Sequence, residues 1–89
     1  MNHDNASDLA RARAVKAAHA PVLLKKANVV GAGVGLREQG GVRTGEVALV
    51  VMVSQKVPLA DLAPADVIPA SLDGVPVDVQ EVGRISAQP

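Results

Sequence analysis

The sequence predicts an α+β fold, a two-layer sandwich with one long N-terminal helix on a three-stranded, mainly antiparallel sheet in the order α-β-β-short α-β. Three observations carry that expectation. An alanine-rich amphipathic stretch fills residues 7–20, a period of two takes over after Asn28, and valine supplies 16 of the 89 residues. Valine is stiff at its first side-chain torsion and packs well on a pleated surface, so this content suits a sheet rather than a bundle.

The helix comes first. Residues 7–20, SDLARARAVKAAHA, are rich in alanine and in straight-chain residues that lose little rotamer freedom when helical. Ser7 or Asp4 suits the N-cap, and Asp8 sits well against the positive end of the helix dipole. Leu9, Ala12, Val15, Ala18 and Val22 recur every three or four positions as one apolar stripe, with Arg11, Arg13 and Lys16 toward solvent. Pro21 removes a backbone donor, which leaves two outcomes: a stop near Ala20, or the preferred kinked continuation to Lys26.

From Asn28, Val30, Ala32, Val34 and Leu36 fall on one face of a strand while Gly31, Gly33 and Gly35 fall on the other. The Gly40-Gly41 pair marks a hairpin connection, read as longer than the tightest two-residue form. Val47 to Val53, VALVVMV, is apolar throughout, so the second strand is expected to be central and buried on both faces. Residues 55–73 hold three prolines and permit one helical turn near Leu59 to Leu62, with Leu59, Leu62 and Ile68 dipping into the core. After an Asp73-Gly74 turn, Val75, Val77 and Val79 alternate with Pro76, Asp78 and Gln80 as a half-buried strand. Pro76 cannot donate to a ladder, which places it at an edge. Pairing of this third strand stays open between parallel to strand two and beside strand one.

Length admits a single core, so the expected organisation is a disordered 1–6, one domain over 7–85 and a frayed 86–89. Nine basic against nine acidic side chains give no net charge, and no aromatic residue is present. Both facts disfavour nucleic acid, which needs an excess of cations and, for single strands, stacking platforms. The absence of cysteine excludes disulfides, thiolate catalysis and Cys-containing zinc sites. The N-terminus lacks a signal-peptide apolar run and no stretch approaches a membrane span, so a soluble, cytoplasmic protein is expected.

Chemistry-bearing residues are sparse. The run GAGVG at 31–35 lacks the third glycine of a dinucleotide fingerprint and the lysine of a P-loop, so it reads as structural. Only His3 and His19 offer imidazoles; Val15 stands four residues before His19 where a helical ligand partner is needed, and His19 reads as a surface or capping residue. Ser7, Ser54, Ser71, Ser86 and Thr44 stand in no nucleophile motif. Asp61, Asp66, Asp73, Asp78 and Glu81 read as turn formers and solvated strand edges. No catalytic residue, metal ligand, cofactor or small-molecule substrate is expected.

One surface does ask for a role. If Val47, Leu49, Val51 and Val53 face the helix, then Ala48, Val50 and Met52 lie on the far face beside Gly31, Gly33 and Gly35, where the chain has no second long helix to cover them. A flat apolar patch of this kind is a contact surface for a protein partner or a second copy, and the domain is expected to be a non-catalytic interaction module. The alternative is a KH-like nucleic-acid module with Lys25, Lys26, Arg37 and Arg43 gathered at one end, although the GXXG clamp between two helices is missing.

The strings NVVGAGVG, TGEVALVVMVSQKVPLADL and IPASLDGVPVDVQEVG resemble the segment that precedes the protease domain in bacterial trypsin-like peptidase-related proteins. The resemblance covers about Asn28 to Ile85. It implies an accessory domain that assists folding or docks on a peptidase-like partner, and it carries no catalytic residue to any position here.

Overall fold

A computed structural model describes residues 5–83. His3, the Asp4 cap, residues 1–4 of the expected leader, Ile85, Ser86 and the expected frayed segment 86–89 lie outside the described residues. Helix α1 (Asn5–Leu23) is followed by strands β1 (Val29–Gln39) and β2 (Val42–Val53), two short 3₁₀ turns (Leu59–Asp61 and Pro64–Asp66), β3 (Ser71–Leu72) and β4 (Val75–Glu81). The α+β class holds, with four strands in the order β1-β2-β4-β3 instead of three. The extra strand is two residues long, too short to show any periodicity.

The helix starts ahead of the expected Ser7, which puts Ser7 inside its first turn and Asn5 and Ala6 within the helix. It passes through Pro21 and ends at Leu23, because a proline this close to the end deprives a single carbonyl of its partner. The chain then tightens: Leu24 N–H reaches the Ala20 carbonyl at 2.9 Å, whereas Lys25 and Lys26 donate only three residues back. Asn28, at φ 69°, takes the left-handed region in the turn that leads into β1, where Val29 N–H reaches the Lys26 carbonyl. The buried face is Ala12, Val15 and Leu23, flanked by Leu9, whereas Ala18 is exposed and Val22 is 59% exposed. Leu23 lies roughly three helical turns beyond Ala12, so it faces the sheet where the expected stripe had placed Val22.

β1 and β2 form an antiparallel hairpin in which Gln39 pairs with Val42. Gly40 (φ 59°) and Gly41 (φ 81°) are its only connecting residues, so the turn is the tight two-residue form after all. The register skips between Val29 and Gly31, and this bulge turns Val29 toward the core while Val30 is 41% exposed. Leu36, expected inside, is likewise 41% exposed where the hairpin bends. β2 is the central strand, with Val47, Leu49, Val51 and Val53 buried against α1 and the inner residues of β4.

β4 runs parallel to β2 from Leu49 opposite Val77 to Val53 opposite Glu81, reached by the crossover through the 3₁₀ turns. β3 pairs antiparallel with β4 through a turn at Asp73 (φ 50°) and Gly74 (φ 82°). Pro76 is therefore not on an edge strand: Ser71 stands opposite it on one side, and the β2 register begins one residue later, at Val77. Of the three apolar residues expected to dip inward from the crossover, Ile68 packs on the core and Leu62 is half-buried, but Leu59 is 69% exposed. Its 3₁₀ turn is too short to carry it back to the sheet.

Candidate interaction face

The register settles which residues share the face opposite the helix. Gly31 stands opposite Met52, Gly33 opposite Val50 and Gly35 opposite Ala48. The β2 partners of β4 extend the face, with Asp78 beside Val50 and Gln80 beside Met52. All six residues expected on the contact surface are thus brought together, in three crossing pairs. The surface is less flat than the sequence suggests. Met52 leans over Gly31, where an added Cβ would lie 3.0 Å from its terminal methyl, and Val50 stands 3.4 Å from the corresponding position at Gly35. At Gly33 that space is open.

Ala48 departs from the expectation of an available contact. It is fully buried, yet it does not belong to the helix-side cluster. Leu36 pairs with Val47 and Glu38 with Arg43, so Arg37 alone opposes Thr44, Gly45 and Glu46. This irregularity bends the hairpin, and an Arg37 to Glu46 ion pair at 3.0 Å and a Glu46 N–H to Thr44 Oγ1 bond at 3.2 Å hold the bend. Beyond it, the Glu38 N–H donates to Asp78 Oδ2 at 2.9 Å. β2 lies between those two strands, and two strand spacings span roughly 9–10 Å. The contact closes only because the end of the hairpin rises out of the sheet and over the far face. Gln80 Nε2 donates to the same Asp78 oxygen at 2.9 Å.

β1 is one outer strand of the sheet, and among the described residues no strand pairs with its outer side. From Val29 to Leu36 it carries no charge and no proline. The opposite edge, β3, is only two residues long and is preceded by Pro69. Natural sheets protect their edges with short strands, prolines and charges. β3 has such protection, and the first eight residues of β1 do not.

The remaining carboxylates do structural work that local reading missed. Asp66 Oδ1 accepts the Ala27 N–H at 2.9 Å, Glu81 Oε1 accepts the Lys56 N–H at 2.7 Å, and Asp73 Oδ2 meets His19 Nε2 at 2.9 Å. Lys26 Nζ donates to the Ala65 carbonyl. The Asp66 and Lys26 contacts tie the crossover, and the Asp73 contact the β3–β4 turn, to α1 and the segment after it, whereas Glu81 ties the start of the crossover to the end of β4. Between them lies an open cleft of about 320 Å³, walled by Val53, Val57, Leu62, Ile68 and Val79.

The cations of the nucleic-acid alternative are not gathered. Lys25 and Lys26 precede β1, whereas Arg37 and Arg43 sit near its other end, and Arg37 is paired with Glu46. With one helix longer than a turn, the described chain also lacks the two-helix frame of a KH clamp. Among the described residues no three His, Asp or Glu side chains group as metal ligands, and no helix is long and apolar enough to cross a membrane.

The fold and this face define a small cysteine-free α+β domain whose distinctive surfaces are a glycine-lined sheet face and an open strand edge. The chain belongs to the NARROW LEAF 1 N-terminal domain family, which matches residues 4–82. That match takes in the helix as well as every strand. It replaces the resemblance to the segment preceding bacterial trypsin-like protease domains, which rested on strand motifs alone, strings that glycine, valine and turn residues generate readily in any sheet of this kind. Comparison with individual curated proteins returns no match.

Proposed function

We propose that the domain is a non-catalytic interaction module that adds a strand to the outer edge of β1, and that a second copy of the chain is its simplest partner. The observation that carries this reading is the long uncharged edge of β1, beside a glycine whose open space the chain itself does not use. A glycine within a strand costs roughly 0.5–1 kcal/mol relative to alanine, and at Gly33 no atom of the described residues lies within 4 Å of the Cβ position to take advantage of it. An approaching strand or side chain gives that gap a use. Zero net charge leaves two copies without mutual repulsion.

Light scattering with refractive-index detection tests the reading, since a chain without tryptophan or tyrosine absorbs little at 280 nm. The expected result is a dimer whose dissociation constant rises roughly tenfold or more in Gly33→Lys, a substitution whose Cβ has no atom within 4 Å. Met52→Lys, on the same face, is expected to act in the same direction. A wild-type chain that stays monomeric to millimolar concentration overturns self-association. A dimer indifferent to both substitutions overturns the choice of surface.

A further inference from the structure

We infer that the end of the β1–β2 hairpin, residues 37–46, is a strap that closes over the far face of the sheet and is latched by the Asp78 carboxylate. Apolar burial does not hold it down. Residues 39–43 are all exposed, and Val42, the one large apolar side chain at the tip, is 67% exposed. Between the tip and the end of β4 lies an open cleft of about 510 Å³, bordered by Gly40, Gly41 and Gln80. What joins them is the Glu38 N–H bond to Asp78, whose carboxylate is in turn steadied by Gln80. A charged acceptor makes that bond stronger than a neutral one, but it remains a single point of attachment.

The hinge is built into the register. One residue of β1, Arg37, spans three of β2, so the ladder is already interrupted where the strap leaves the sheet. Gly45 lies in this interrupted stretch and carries no side chain, with no atom within 4 Å of where a Cβ would stand. Opening uncovers Ala48, which is fully buried when the strap is closed, and leaves the helix-side core intact. A segment with few buried contacts and an interrupted ladder belongs to the low-stability part of a native structure, which opens without global unfolding. The strap stands on this geometry alone and does not depend on what the sheet edge binds.

Amide hydrogen exchange on the chain at a single protein concentration, with and without Asp78→Ala, reads the latch directly. The expected result is exchange at Glu38 to Arg43 faster by roughly tenfold or more on loss of the carboxylate, with Leu49, Val51 and Val77 unchanged. Uniform acceleration through the sheet, or no change at the hairpin, overturns the latch. Should Asp78→Ala fail to fold, Ala48→Cys in the chain with Asp78 intact keeps the inference testable, because it introduces the only thiol. Maleimide labelling faster than global unfolding supports an opening strap, and labelling that keeps pace with global unfolding overturns it. Neither readout involves association, so the strap and the interaction reading fail separately.

Discussion

At the scale of single residues, carboxylates act as long-range staples. Asp66, Asp73, Asp78 and Glu81 each bind a group 25 to 54 residues away in sequence, at Ala27, His19, Glu38 and Lys56 respectively. Local spacing does not encode such partners, and that is why the same residues read from sequence as turn formers and solvated edges. Asp61 is the natural control, because it sits exposed in its 3₁₀ turn and, among the described residues, has no side-chain tie to another segment. Asp66→Ala is expected to lower stability by about 1 kcal/mol, a shift of about 4–8 °C in Tm, by removing the acceptor for the Ala27 amide. Asp61→Ala is expected to stay within about 0.5 kcal/mol of wild type. Thermal unfolding followed by far-ultraviolet circular dichroism separates them, and equal losses would refute the staple. His19→Ala is expected to cost only ~0.2–1 kcal/mol, because solvent reaches its contact with Asp73, whose side chains are 33% and 66% exposed.

At the scale of elements, two glycines one strand-length apart answer to different physics. Gly33 lies within β1 with open space at its Cβ, so Gly33→Ala is expected to stabilise the monomer by ~0.4–1 kcal/mol through a less flexible unfolded chain. Gly41, at φ 81°, supplies the left-handed conformation of the hairpin turn, and Gly41→Ala is expected to destabilise by roughly 1–2 kcal/mol. Chemical denaturation of the two variants checks the opposite signs. The sequence makes the glycine stripe, the hairpin site and the buried inner face of β2 legible, since a period of two and an unbroken apolar run are local properties, whereas Val50 and Met52, expected buried as well, are only half-buried. It does not reveal the bulges at Val30 and Arg37, because a bulge shows only against its partner strand. Those bulges are why Val30 and Leu36 are exposed and why the end of the hairpin reaches Asp78. The face was therefore legible as a set of residues but not as a shape, and Asp78, which secures that shape, looked like any polar residue on an alternating strand.

At the scale of the whole molecule, the core is small and made without aromatic residues. The buried apolar side chains of the described chain are Ala12, Val15, Leu23 and seven residues of β2 and β4, none larger than leucine. Below about 70–80 residues a core rarely supplies more than about 3–5 kcal/mol, and this chain of 89 residues is only slightly longer. Part of the topology is also non-local: β4 joins β2 in parallel across the crossover, a pairing that the sequence leaves undecided because both strands alternate equally well. A marginal monomer has a thermodynamic consequence for the interaction reading. If two copies join along β1 and only the dimer is folded at working concentration, each tenfold rise in concentration adds about 1.4 kcal/mol per dimer. Shared between two protomers, that is a rise of roughly 3–5 °C in Tm per decade of concentration. Gly33→Lys is expected to flatten this dependence, because it weakens association without touching the helix-side core. Scanning calorimetry across two decades of concentration distinguishes the cases. A wild-type Tm that does not move shows that the chain draws its stability from its own core alone, and the edge of β1 then serves some partner other than a second copy.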